Sequence, residues 1–282
     1  MSTMTTTVWI DGHVMDAAAA RVGALDHGLT VGDGVFETCK VLHGEVFALS
    51  RHLRRLERSA AVLGLTCPAP EVVRAATTQL LVARPSLPLG RLRITLTGGA
   101  GPLGSDRGDA APTLVLAISA ASPWPDRIAA VTVPWARNEH SAVAGAKTTS
   151  YAENVVALQR AHDQGAHEAL LPNTAGNLCE GTGSNVVLDL DGVLVTPPLS
   201  SGCLAGITRE LFLEWAVADG LPVVERDVPV VALTRARDVL LTSSTRNVQQ
   251  VQTMDGRPVP GSTLGRTAVE LFERYAAKGM DP

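Results

Sequence analysis

Lysine is what this sequence has least of among its charged residues. Of 24 basic residues only three are lysines, Lys40, Lys147 and Lys278. An arginine-rich genome accounts for that scarcity. It also makes each lysine worth inspecting, because an arginine guanidinium cannot be deprotonated to serve as a nucleophile. Basic charge is not concentrated either. The net charge is −4, and with no basic block the electrostatic footprint of a nucleic-acid binder is missing. No uninterrupted apolar run reaches the length needed to span a bilayer, so no membrane partner is expected. Residues 1–7 are polar and uncharged, unlike a secretory signal, and a cytoplasmic location is expected. The four cysteines, Cys39, Cys67, Cys179 and Cys203, are scattered and form no C-x-x-C pair. Reduced, mostly buried thiols are expected. The seven histidines form no H-E-x-x-H and no Cys/His cluster of zinc spacing, so no metal site is expected. Walker A and G-x-S-x-G motifs are absent, and Gly181-Thr182-Gly183 is too short for a dinucleotide fingerprint.

What remains is a globular composition: 282 residues, 45% hydrophobic and 18% charged, enough for about two domains. The first part reads as two hairpins, 8–15 about Asp11-Gly12 and 36–49 about His43-Gly44. Helices follow over 51–63 and 72–83, the first from the stripe Leu53, Leu56, Ala60, Leu63. Strands 92–97 and 113–119 flank a glycine-rich loop, 98–108. The Pro123 and Pro125 stretch is the linker candidate, dividing a small N-terminal domain (1–121) from a larger C-terminal one (127–282) across residues 122–126. In the second part, strands are expected at 129–133, 168–171, 185–189, 193–196, 238–242 and 248–254. Helices are expected at 151–164, opened by a capping box at Ser150-Tyr151-Ala152-Glu153, and at 208–218 and 263–277. Strands and helices do not alternate regularly, which indicates an α+β fold in two domains.

Several residues could carry chemistry. Lys147 falls just before a helix start, where the dipole disfavours an ammonium and helps keep an amine nucleophilic; an exposed surface lysine is the plain alternative. Glu180 is either a turn residue between strands or a carboxylate that approaches a flat ligand. Gly206-Ile207-Thr208 opens a helix, as an anion site or as an N-cap at Thr208. Thr242-Ser243-Ser244-Thr245 adds hydroxyls at a strand end. Arg55 is either a solvated charge or a phosphate clamp. An amine, a carboxylate, an arginine, a helix N-terminus and hydroxyls together suit pyridoxal 5′-phosphate (PLP), with its aldehyde, ring nitrogen and phosphate.

In order along the chain these segments resemble the fold-type IV PLP enzymes, the class IV aminotransferases. That group includes D-amino-acid, branched-chain and R-amine transaminases and aminodeoxychorismate lyases. The matching segments are Asp26-His27-Gly28 with Gly32-Asp33-Gly34-Val35-Phe36-Glu37, and His52-Leu53-Arg54-Arg55-Leu56. Further along come Lys147, Glu180-Gly181 to Ser184-Asn185, Gly206-Ile207-Thr208-Arg209 and Thr242-Ser243-Ser244. The resemblance implies a two-domain fold-type IV enzyme, a homodimer with its active site between the domains, acting on amine and keto-acid substrates. It implies that Lys147 carries PLP as a Schiff base and that Glu180 keeps the pyridine nitrogen protonated. It places Arg55, Gly206, Ile207, Thr208, Ser243 and Ser244 at the phosphate and Tyr151 at the phenolic oxygen. Phe36, Gly98, Arg107, Arg137, Thr182 and Gly183 become the substrate-facing positions.

The chain departs from the family pattern at three places. His27 stands where many members have arginine, and Phe36 where D-amino-acid transaminases have tyrosine. Gly98 stands where they carry the arginine that traps the substrate carboxylate. Arg107 or Arg137 could replace that charge. The expected activity is transfer of an amino group from a D-amino acid or R-configured amine to a keto acid. Aminodeoxychorismate lyase is the alternative, ahead of a branched-chain aminotransferase or a binding protein that kept the fold without catalysis.

Overall fold

A computed structural model describes residues 6–85 and 87–282, which form two compact units. The first holds the chain up to Pro123 together with residues 146–150 and Asp281; the second holds 124–145, 151–280 and Pro282. Lys147 therefore clusters with the first unit, although sequence order alone places it after the linker.

The first unit is built on a six-stranded sheet of β1 (Thr7–Ile10), β2 (His13–Asp16), β3 (Gly34–Leu42), β4 (Glu45–Val46), β5 (Leu89–Thr97) and β6 (Thr113–Ala120). Their order is β2-β1-β6-β5-β3-β4. Alternation sets the faces. Val35, Cys39 and Val41 of β3, Leu92, Ile94 and Leu96 of β5, and Leu116 and Ile118 of β6 form one apolar layer. Two helices cover it, α2 (Leu49–Leu63) and α3 (Pro70–Val82), through Leu53, Leu56, Ala60, Val73, Ala76 and Leu80. A one-turn helix, α1 (His27–Thr30), precedes β3, and Asp26 caps it by accepting from the Gly28 N–H at 2.8 Å.

The second hairpin is shorter than its sequence indicates. Ala48 takes a left-handed conformation (φ 56°), and α2 begins at Leu49 rather than Arg51. No local side chain caps it. Asp281 does so, accepting from the Ser50 N–H at 2.9 Å and from the Ser50 hydroxyl.

The second unit carries a nine-stranded sheet: β7 (Arg127–Thr132), β8 (Glu168–Pro172), β9 (Leu178–Gly181), β10 (Asn185–Leu190), β11 (Val193–Thr196), β12 (Val223–Glu225), β13 (Asp238–Ser243), β14 (Asn247–Met254) and β15 (Arg257–Pro258). The path is β12-β11-β10-β13-β14-β7-β8-β9, with β15 on β14. Three helices complete it: α4 (Ala152–Asp163), α5 (Ile207–Ala218) and α6 (Thr263–Ala276). The α5 and α6 helices meet through Trp215 and Phe272, whose ring centroids lie 5.0 Å apart. No helix among the described residues is long and apolar enough to cross a membrane.

Candidate active site

In the first unit the chemistry gathers on the sheet face opposite the apolar layer. Register places Phe36 across from Thr95, Thr38 across from Arg93 and Lys40 across from Arg91. Residues 147–149 run beside the start of β3: Phe36 N–H donates to the Lys147 carbonyl at 2.9 Å, and Thr149 N–H to the Gly34 carbonyl at 2.7 Å. Lys147 N–H donates to the Ser59 hydroxyl of α2 at 3.1 Å. Strand and helix thus fix the lysine backbone together. Its half-buried side chain puts Nζ 4.4 Å from the Phe36 ring centroid. The Arg93 guanidinium stacks on the same ring at 3.4 Å. Sequence reading singled out Lys147 and Phe36 and missed Arg93, which only the β3–β5 register reveals.

Arg55 is not a solvated charge. It is buried against Glu37, donating from Nε at 2.7 Å and Nη2 at 2.6 Å, and His52 Nδ1 lies 2.6 Å from the same carboxylate. Glu37 points into the apolar layer and is fully buried. Burial alone would raise its pKa, but the Arg55 guanidinium and then His52 overcome this and hold the carboxyl well below its ordinary range. Burial pushes the His52 imidazole below its ordinary value, with Glu37 opposing.

Arg107 returns from the 98–108 loop to grip Asp33, Nε to Oδ2 at 2.7 Å and Nη2 to Oδ1 at 2.5 Å. That explains Gly98: a Cβ there would collide with Asp33 Oδ2. The loop is also tied at His27, whose Nε2 lies 2.9 Å from the Pro102 carbonyl.

In the second unit Glu180 lies within β9, not in a turn between strands. Leu178-Cys179-Glu180-Gly181 reads as a connection, yet it pairs with β8. Glu180 Oε2 accepts from the Leu204 N–H at 2.9 Å, and Oε1 lies 3.3 Å from Arg137 Nε. Arg137 also grips Glu153 at 2.5 Å. Tyr151 is the N-cap position of α4 but makes no side-chain cap bond. The expected capping box does not form, because the Ser150 hydroxyl donates to the Gly32 carbonyl instead.

Gly206, not Thr208, is the N-cap of α5, and no side chain caps that helix. Asn185 of β10 organises the approach: it pairs with Thr242 of β13 and donates to the Leu204 carbonyl at 2.8 Å. A Cβ on Gly206 would collide with Asn185 Oδ1, so glycine permits the contact. Asn185 thus links the uncapped start of α5 at Gly206 to Thr242 near the end of β13, with Ser243 and Ser244 following Thr242. Thr242 Oγ1 is buried with no hydrogen-bond partner among the described residues. An orphaned donor beside an uncapped helix start suits a phosphate. Thr182 is buried and Gly183 exposed in the turn between β9 and β10.

Of the cysteines, three are buried and Cys67 is half-buried, and none is paired. Burial pushes the Cys203 thiol up to about 11 and raises Cys179 as well.

A family profile described as amino-transferase class IV matches residues 34–254. A Methanocaldococcus jannaschii protein provisionally designated a branched-chain-amino-acid aminotransferase is 31% identical over 274 residues, covering 95% of this chain and 94% of its own. The bifunctional aminodeoxychorismate lyase/D-amino acid transaminase of Mycobacterium tuberculosis is 30% identical, covering 94% and 97%. Among solved structures, a branched-chain aminotransferase from Thermoproteus uzoniensis superposes with a TM-score of 0.90 at 27% identity, covering 97% and 95%. The cofactor of this family is PLP; an amine in the first unit and, in the second, a carboxylate and an uncapped helix start with an orphaned hydroxyl are groups of the kinds it needs. The chain belongs to the class IV aminotransferases and has their two-domain, fold-type IV architecture.

Proposed function

We propose that this chain transfers the amino group of a D-amino acid or an R-configured primary amine to a keto acid. The observation that carries the reading is the pairing of Lys147 and Arg93 on one Phe36 ring. It sets an amine beside a cation that suits a substrate carboxylate. Arg107 and Arg137 are committed to carboxylates of the chain itself. We assign the carboxylate-reading role to Arg93, whose guanidinium stacks on the Phe36 ring beside Lys147.

PLP, when bound, supplies an aldehyde for the donor amine and a ring that accepts the electrons released at the donor α-carbon. Lys147 Nζ is the covalent anchor and the base that moves the α-proton. Glu180, steadied by Leu204 and Arg137, serves the ring nitrogen. Arg55, Gly206, Ile207, Thr208, Ser243 and Ser244 hold the phosphate, and Tyr151 serves the phenolic oxygen. Phe36, Thr182 and Gly183 face the donor. A homodimer and a cytoplasmic location belong to the same proposal.

Branched-chain amino acids are the second reading, favoured by the apolar Phe36 and the names of two of the similar proteins. The M. tuberculosis relative keeps the lyase reading in view. The test is a half-reaction spectrum against D-amino acids, R-amines, L-leucine, L-isoleucine, L-valine and aminodeoxychorismate. Conversion of the cofactor to its amine form by D-alanine or an R-amine is expected. Conversion by the L-branched-chain set alone establishes the second reading. Pyruvate release from aminodeoxychorismate without that conversion refutes transfer. Lys147→Ala should fold but lose both turnover and the borohydride-reducible cofactor bond; full retained activity overturns the assignment.

A further inference from the structure

A second buried charge pair lies in the second unit, away from Lys147 in sequence and unused in the roles above. Glu168 opens β8 and is fully buried. Its Oε1 accepts from the Ala169 N–H at 3.1 Å, the Thr182 N–H at 2.9 Å and the Thr182 hydroxyl. Its Oε2 accepts from the Ser184 hydroxyl at 3.0 Å and lies 3.1 Å from Arg246 Nη2. The Arg246 side chain is 7% exposed. Its guanidinium stacks on Trp124 at 4.0 Å, and its backbone N–H donates to the Ser243 carbonyl at 3.1 Å. Trp124 Nε1 in turn donates to the Thr245 hydroxyl at 3.3 Å. One carboxylate thus grips the 182–184 turn directly and the 243–246 turn through a single arginine.

A charge pair this deep is a poor way to gain stability, since burying both ions offsets most of their attraction. What it supplies is geometry: five contacts from three segments converge on two oxygens, leaving the turns little freedom to shift.

We propose that Glu168 and Arg246 are positioning residues, holding the donor-facing turn Thr182-Gly183 and the phosphate-facing turn Ser243-Ser244 at one fixed spacing. The proposal rests on the functional reading of those two turns given above. Neither residue touches the reacting atoms. Loss of the tether should therefore weaken binding more than it slows the chemical step.

The experiment compares wild type, Arg246→Met, Glu168→Gln and the double variant. It reads PLP affinity of the apo-protein by absorbance titration, donor KM and kcat, and melting temperature. Arg246→Met should raise the PLP Kd and donor KM about tenfold, with kcat within about threefold, the low end of what supporting residues around a site contribute. It should also lower the melting temperature, because Glu168 is left as an uncompensated buried anion. The double variant removes both charges and should regain the melting temperature while PLP affinity stays weak, because the 243–246 turn remains untethered. Recovery of affinity along with the melting temperature would show mere charge balance and overturn the proposal. Unchanged Kd and KM in Arg246→Met would overturn it too, with the functional reading intact. A wild type that takes up no PLP refutes the functional reading and this role together.

Discussion

Replacing Glu37 with glutamine tests the most heavily buried electrostatic element of the site. The carboxylate is fully buried and bonded to Arg55 through two nitrogens and to His52. Glutamine keeps the shape and removes the charge, leaving the Arg55 guanidinium buried without its anion. Breaking a buried pair from one side costs about 3–5 kcal/mol, against a total stability of roughly 5–15 kcal/mol for a domain. The first unit of Glu37→Gln should therefore unfold at distinctly lower guanidinium concentration at pH 7, followed by circular dichroism on the apo-protein. The pH dependence adds a signed check. Glu37 is held below its unfolded value of 4.5, so its contribution is complete above that pH and lost as pH falls below it. His52 is also held below its unfolded value of 6.5, so its neutral form contributes above that pH and loses stability below it. Glutamine removes the partner that opposes the His52 shift. The variant should lose stability faster than wild type between 6.5 and 4.5, and more slowly below 4.5. Adding Arg55→Met should restore much of the loss. A Glu37→Gln protein within about 1 kcal/mol of wild type at pH 7 would refute the reasoning.

Thr242→Val should leave the apo-protein unchanged or slightly more stable, since it removes a buried hydroxyl without a partner, yet weaken PLP binding several-fold in a cofactor titration. Gly98→Arg should not create a carboxylate trap: its Cβ meets Asp33, and overpacking should cost about 1–3 kcal/mol in a thermal melt without lowering KM for D-amino acids. Asp281→Ala removes the distant side chain that caps the first turn of α2 and should cost about 1 kcal/mol by chemical denaturation, leaving kcat unchanged. Arg93→Leu should raise KM for donors bearing a carboxylate about tenfold or more while sparing simple R-amines; equal effects on both would exclude Arg93 as the carboxylate reader.

Sequence alone revealed the parts of the fold whose signals are local. The Asp11-Gly12 hairpin, the α2 stripe ending at Gly64, the alternating strand β5 and the short apolar runs of β6, β10 and β13 all announce themselves by period, run length or turn chemistry. Where reading failed, a distant partner decided. α2 starts two residues early, and its cap comes from Asp281, 231 residues away. The Ser150 capping box is lost because the Ser150 hydroxyl is taken by Gly32. β9 has no apolar alternation and becomes a strand only because β8 offers it an edge.

The proposed site residues divide along the same line. Lys147, Glu180, Arg55 and the α5 start lie in short motifs legible in one dimension. Arg93, Glu168 and Arg246 do not, because their significance arises from register and from turns brought together in space. One signal was within reach. Alternation along β3 places Val35, Glu37, Cys39 and Val41 on one face, so a carboxylate in an apolar row demands a buried cation. His52 and Arg55, three apart on the helix covering that face, are the groups that meet the demand. The same alternation sends Phe36 and Lys40 to the other face, where Lys147 arrives beside β3. A single strand thus separates two tasks. Its inner face locks an arginine at fixed geometry inside the core, and its outer face presents an aromatic ring to the amine. A one-residue slip of β3 would exchange the two faces and abolish both, which makes the register of this strand as much a determinant of the proposed site as the lysine itself.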